Sequence, residues 1–213
     1  MSGLIHISRH FLTMAIAKTQ RILKLFRRMG VVRPRDVEAI GIPGANLNRL
    51  YKKGVLDRPG RGLYTLADSQ PSECRSIVEA CKLAPKATVC LLSALRIHDL
   101  TTQSPFEVWL AIGEKDRKPR IESPPIRIVR FSGPAQAFGI ETRKIEGTTV
   151  RVYSPAKTVA DCFKYRNKIG LDVAIEALRD CRTQRKATAD ELWRAAKVCR
   201  MTNVMRPYME AIL

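Results

Sequence analysis

Glycine and proline interrupt the chain so closely between residues 30 and 62 that no long element can form there: Gly30, Pro34, Gly41, Pro43 and Gly54 come first, then Pro59-Gly60-Arg61-Gly62. Glycine ends helices, and proline is tolerated only in their first turn. The spacing therefore predicts short helices with tight connections. In TQRILKLFRRMG, Ile22, Leu23, Leu25, Phe26 and Met29 share one helical stripe, with Thr19 as the cap and Gly30 as the stop. VRPRDVEAIGI predicts a second helix with Pro34 in its first turn and Gly41 at its end. A third is predicted in IPGANLNRLYKKG, from Pro43 to Gly54. Its inward face holds Leu47, Leu50 and Tyr51, and Asn46, Asn48, Arg49, Lys52 and Lys53 spread over the outer side.

A hairpin follows, with strands over residues 55–58 and 63–66 and Pro59-Gly60-Arg61-Gly62 as its turn. Three short helices and a hairpin spell a winged helix-turn-helix. Its wing would carry Arg58 and Arg61 to a phosphate or into the minor groove. Asparagine and arginine on the preceding helix can each make two hydrogen bonds to a base edge, adenine for one and guanine for the other. The charge agrees. Residues 1–68 hold 13 basic and 4 acidic side chains, the remaining 145 hold 25 and 16, and the net charge of +18 calls for a polyanion, double-stranded DNA first.

Beyond Asp68 the patterning changes, so a domain boundary is expected there: residues 1–68 for DNA binding, with an N-terminal extension, and residues 69–213 for a larger mixed domain. Gln70-Pro71-Ser72 reads as a linker and a cap. ECRSIVEACKLAP and TVCLLSALRIHDL read as two helices. FEVWLAI, IRIVRF, IETRKI and TTVRVY alternate as strands of a half-exposed antiparallel sheet. The charged, proline-bearing stretch 113–125 between the first two reads as an exposed loop. In VYSPAKTVADCFKYR a strand ends at Tyr153, Ser154 caps a helix, Pro155 takes its first position, and Lys157 pairs with Asp161 one turn on. Three helical stretches close the chain, around LDVAIEALRDC, ADELWRAAKVC and VMRPYMEAI. The class is α+β: a winged helix-turn-helix, then an antiparallel sheet flanked by helices, then a helical tail.

Several chemistries find little support. Ser154 and Lys157 have the spacing of the serine-lysine nucleophiles of penicillin-recognising enzymes, but the companion Ser-Asp-Asn and Lys-Thr-Gly elements are missing. Six cysteines form no CxxC pair, so neither a zinc knuckle nor a disulfide framework is suggested, and His6, His10 and His98 do not cluster with acids. No metal, cofactor or catalytic residue is assigned. A nuclease built on Glu141, Glu146 and Asp161 is the enzymatic alternative. No apolar run reaches the roughly 18 residues of a membrane span. The start MSGLIHISRHFLTMAIA imitates a signal peptide, although a leader before a second start at Met14 is the simpler reading of a cytoplasmic chain.

PGANLNRLYKKGVLDRPGRGLYTL, APKATVCLLSALRIHDL and VYSPAKTVADCFKYRNKIGLDVAIEALRD together resemble the AbiEi antitoxins of type IV toxin-antitoxin systems, over most of residues 18–200. The most specific part is the strand-Ser-Pro-x-Lys-Thr-apolar-apolar-Asp run at 152–161. The resemblance implies a non-enzymatic transcriptional autorepressor of abortive-infection phage defence, monomeric or pairing cooperatively on DNA. Its winged domain would bind repeats in its own promoter, through Asn46, Asn48, Arg49, Lys52, Lys53, Arg58 and Arg61, and its second domain would help to neutralise a cognate nucleotidyltransferase toxin. A solitary regulator without a toxin is the alternative.

Overall fold

The computed structural model describes residues 2–70 and 72–212, with side chains from residue 16 onward. Two units divide the chain: Met1–Arg75 with Glu146–Thr148, and Ser76–Ile145 with Thr149–Leu213.

The first unit holds α1 (Ser2–Met29), α2 (Pro34–Glu38), α3 (Ala45–Lys52), β1 (Leu56–Gly60) and β2 (Leu63–Leu66). Helix α1 is much longer than the sequence predicts, and Thr19 lies inside it instead of capping it. After Gly3 no glycine or proline stands before Gly30, so nothing stops the helix from propagating backward. His6 and His10 lie outside the described side chains. From Ile16 onward α1 buries Ile22, Leu25 and Phe26 against Val37, Ile42, Leu47, Leu50, Leu56 and Tyr64, the core of this unit. Each such side chain contributes about 1.5–3 kcal/mol on leaving water. At the start of α2, Asp36 accepts the backbone N–H of Arg33 at 2.9 Å, which satisfies one of the donors a helix start leaves bare. Helix α3 stops where Gly54 takes φ +70, a conformation that would strain a residue with a Cβ.

The second unit is built from α4 (Arg75–Leu83), β3 (Thr88–Val89), α5 (Leu91–Ile97), β4 (Val108–Gly113), β5 (Ile126–Phe131), α6 (Pro134–Ala137), β6 (Ile140–Ile145), β7 (Thr148–Tyr153), α7 (Pro155–Lys164), α8 (Arg166–Ile169), α9 (Leu171–Thr183), α10 (Ala189–Cys199) and α11 (Thr202–Ile212). Its strands form one sheet in the order β5-β4-β3-β7-β6. The sheet is antiparallel only in part: β3 pairs antiparallel with β4, while β3 with β7 and β4 with β5, the latter expected to be antiparallel, run parallel. The α+β class holds.

Three local expectations are corrected. Thr88 and Val89, read as the start of a helix, are a strand: Val89 lies in register with Leu110 on one side and Val152 on the other, and two ladders outweigh the helical preference of the residues that follow. Ser72 does not cap α4; its hydroxyl donates to Glu146. Strand β4 is buried along its whole length instead of half exposed, and it begins at Val108, leaving Phe106 86% exposed. The two faces of β4 serve different cores. Val108, Leu110 and Ile112 meet Ile77, Ala80 and Cys81 of α4, and Trp109 and Ala111 join the larger cluster with α5, α7, α9, α10 and α11. The sheet is therefore a middle layer between helices.

Helix α7 is the axis of that larger cluster, packed by α5, α9 and α10. Ser154 caps it by accepting the Lys157 N–H at 3.4 Å, and Pro155 opens it. The Lys157–Asp161 pair forms as the spacing predicts, but no water reaches it: both residues are fully buried. The Lys157 ammonium lies 4.4 Å from the Phe131 ring and 4.3 Å from the Tyr153 ring, a cation over two aromatic faces. Cys199 donates to the second Asp161 oxygen at 3.4 Å. Burial pushes the Asp161 carboxyl up, and Lys157 pulls it back toward ionisation. On α10 the capping box is complete: Thr188 accepts the Glu191 N–H at 3.2 Å and Glu191 accepts the Thr188 N–H at 2.8 Å.

His98, at the end of α5, is fully buried. Its Nε2 donates to the Tyr153 carbonyl at 2.7 Å, and Nδ1 has no hydrogen-bond partner among the described residues. Burial lowers its pKa, so the imidazole is neutral in the fold and protonates more readily once the chain unfolds. A depressed pKa gives stability that is present above the unfolded value of about 6.5 and lost as pH falls below it. The thermal midpoint should therefore drop between about pH 7 and pH 5, and His98→Gln, which does not titrate, should flatten that part of the profile. A profile equally steep in the variant would assign the drop to other groups.

Candidate nucleic-acid interface

Helix α3 turns Leu47 and Leu50 into the core and leaves Asn48, Arg49, Lys52 and Lys53 exposed. Two residues of this helix differ from expectation, one a proposed contact and one assigned to the core. The Asn46 amide is half-buried and donates to the Pro43 carbonyl at 2.9 Å, so it closes the turn into the helix. Tyr51, predicted to face inward, is 42% exposed. Its ring stands edge-on to Tyr64 with centroids 6.5 Å apart, since α3 is short and its last turn runs past the core onto the hairpin. Arg49 and Lys52 occupy that last turn, where the helix dipole favours cations.

The hairpin is tighter at its tip than the sequence predicts. Leu56 pairs with Leu66 and Asp57 with Thr65, the register then shifts, and Gly60 faces Leu63, so only Arg61 and Gly62 turn. Pro59 has no N–H to give to the ladder, and the irregularity falls there. Gly62 takes φ +74, which a two-residue hairpin loop requires. The wing is not a free ribbon. Val32, just before α2, exchanges both backbone hydrogen bonds with Tyr64 at 2.9 Å, a single-residue bridge that ties the hairpin to the helices. The Arg58 guanidinium lies 5.9 Å from the Tyr64 ring, and Arg58 and Arg61 are exposed. Among the described residues, none of Arg49, Lys52, Lys53, Arg58 and Arg61 is held in an ion pair. Their charge is available to a polyanion.

A second basic feature of this unit escaped the sequence reading. Arg21, Lys24, Arg27 and Arg28 of α1 surround a groove floored by Leu25 and Ile40, and Arg21 donates to the Ile40 carbonyl at 2.6 Å. The signal was there in basic residues three and four apart on one helix.

The acids of the nuclease alternative are each engaged elsewhere. Asp161 is buried with Lys157, Glu141 pairs with Arg143 at 3.4 Å, and Glu146 pairs with Arg75 at 4.0 Å. Among the described residues no three histidine, cysteine or acidic side chains come together as a metal site. No described helix is long and apolar enough to cross a membrane.

The helices, the bridged wing and the unpaired cations of the first unit make up a basic winged helix-turn-helix, a fold suited to contacting DNA. The family model described as "Transcriptional regulator, AbiEi antitoxin" matches residues 20–67, the latter part of α1 through β2, so that stretch is similar to those regulators. No curated protein matches the chain significantly. The fold is similar to the crystal structure of the RV2827C protein from Mycobacterium tuberculosis, at 13% sequence identity and a TM-score of 0.58, covering 92% of this chain and 80% of that one.

Proposed function

We propose that the protein is an antitoxin that represses its own operon and neutralises a cognate nucleotidyltransferase toxin, within a type IV phage-defence system of the cytoplasm. The observation that carries the reading is that the antitoxin-regulator match falls on the residues that build the basic helix and wing. Asn48, Arg49, Lys52 and Lys53 read the major groove of promoter repeats. Arg58 and Arg61 hold the adjacent backbone, and Asn46 sets the angle at which α3 enters. The larger unit, close to the span 69–213 drawn from the sequence, faces the toxin. Neither role requires a cofactor or catalysis by this chain.

The test keeps the chain whole. The full-length protein and its Arg49→Ala/Lys52→Ala/Arg61→Ala variant are each placed beside a promoter reporter, and each is co-expressed with the nucleotidyltransferase-like product of the neighbouring reading frame. The expected result is repression by the parent alone and rescue of growth by both. Repression without any rescue would make the protein a solitary regulator. Undiminished repression by the variant would remove the interface from α3 and the wing.

A further inference from the structure

The second unit carries a cavity that the regulator reading does not use. It opens where β4 and β7 end, beside the start of β3, and has a volume of about 490 Å³. Ligand sites for small molecules span roughly 300–1,000 Å³ and combine an apolar body with a few placed polar groups. Ala111 and Ala137 supply part of the apolar floor, and Lys86 and Arg151 supply the charge.

The two cations stand together: the Arg151 guanidinium donates to the Lys86 carbonyl at 3.1 Å, which fixes it beside the base of the lysine side chain. Among the described residues no carboxylate pairs with either of them. The one acid in the lining, Asp116, is already engaged, accepting the Gly113 N–H at 2.8 Å. Its loop is tied down by Arg130, which donates to the carbonyls of Gly113 and Asp116, each at 2.9 Å. On the opposite wall the Tyr153 hydroxyl donates to the Gln136 carbonyl at 2.8 Å, and burial keeps the phenol protonated. The walls are thus braced by their own hydrogen bonds, and two cations remain without a counter-ion.

The geometry points to a binding site for a small organic anion, its phosphate or carboxylate group held by Lys86 and Arg151 and its uncharged body seated between the strand ends and α6. A bare inorganic anion would leave most of the volume empty, so the organic body contributes to affinity. Arg151 presents a planar fork suited to two acceptor oxygens, and Lys86 adds a point charge.

Calorimetric titration of the full-length protein with AMP, 2-oxoglutarate, adenosine and inorganic phosphate tests the assignment. AMP or 2-oxoglutarate should bind saturably, more tightly than inorganic phosphate, and adenosine should bind at least tenfold more weakly than AMP. Arg151→Gln should weaken the anion at least tenfold with an unchanged thermal midpoint. Lys86→Gln, at an exposed position, supplies the same readout should Arg151→Gln lose its fold. Lys197→Gln, on exposed α10 surface, controls for the general attraction of a +18 chain. Failure of both organic anions to saturate, equal binding of adenosine and AMP, or equal losses in Lys197→Gln and the cavity variants would overturn the site. None of these readouts involves DNA or a toxin, so the result stands apart from the regulatory reading.

Discussion

Asp161→Ala should cost the second unit about 3–5 kcal/mol, the range for removing one partner of a buried ion pair. The lysine left behind has no route to water: Lys157 is fully buried, with its ammonium against the rings of Phe131 and Tyr153. Those faces attract a cation but do not replace a carboxylate, and Cys199 would lose its acceptor in the same step. The counter-experiment separates charge from packing. Lys157→Met with Asp161→Leu fills a similar volume with apolar atoms, so it should recover most of the loss, because well-packed hydrophobic replacements of buried pairs are often neutral or stabilising. Urea denaturation of the parent, the single and the double variant measures all three. A single-variant loss below about 1 kcal/mol would mean that the pair is dispensable to the core.

The second large effect belongs to DNA. Arg49→Ala should cost on the order of 1–3 kcal/mol at the preferred promoter sequence and relax discrimination there, because a two-pronged contact to a base edge is lost with the guanidinium. Arg61→Ala should weaken binding to every sequence alike and flatten the dependence of log affinity on log salt by about one unit, the signature of one phosphate contact removed. Anisotropy titrations on promoter and scrambled duplexes across a salt series distinguish the two. If both variants titrate as the parent does, α3 and the wing are not the interface. Asn46→Ala should behave unlike either, since its amide is committed to the Pro43 carbonyl and its loss loosens the entry to α3.

The parts of this architecture that were legible in the sequence are those where a local rule and the tertiary outcome coincide. Strands 126–131, 140–145 and 148–153 lie where the sequence places them, and alternation is plainest in the last, where Thr148, Val150 and Val152 are buried and Thr149 and Arg151 between them are less covered. The stops at Gly30, Gly41 and Gly54 are legible because a positive φ is a local demand. What was not legible depends on partners far away in the chain. Thr88 and Val89 look helical beside Leu91-Leu92 and become a strand only when β4 and β7 arrive on either side. A strand covered on both faces gives a continuous apolar run, and VWLAI within FEVWLAI is one, so the sealing of β4 is legible in the sequence and is missed only when that stretch is taken as alternating. The exposure of Tyr51 follows from where the wing packs, which no periodicity encodes. The pairing of Lys157 with Asp161 could be read from the i,i+4 spacing, whereas its burial required three further helices to close around α7.

Five of the six cysteines, Cys81, Cys90, Cys162, Cys181 and Cys199, are buried, all of them in the second unit, and only the half-buried Cys74 belongs to the first. Burial holds these thiols out of their reactive form, pushing Cys181 up to about 11 and Cys81 and Cys199 to about 12. An alkylating reagent therefore captures them only when the surrounding helices part. With Cys74 replaced by serine, the pace of thiol capture under native conditions becomes a clock for the opening of one unit alone, wound by five residues whose ordinary task is to fill space between helices.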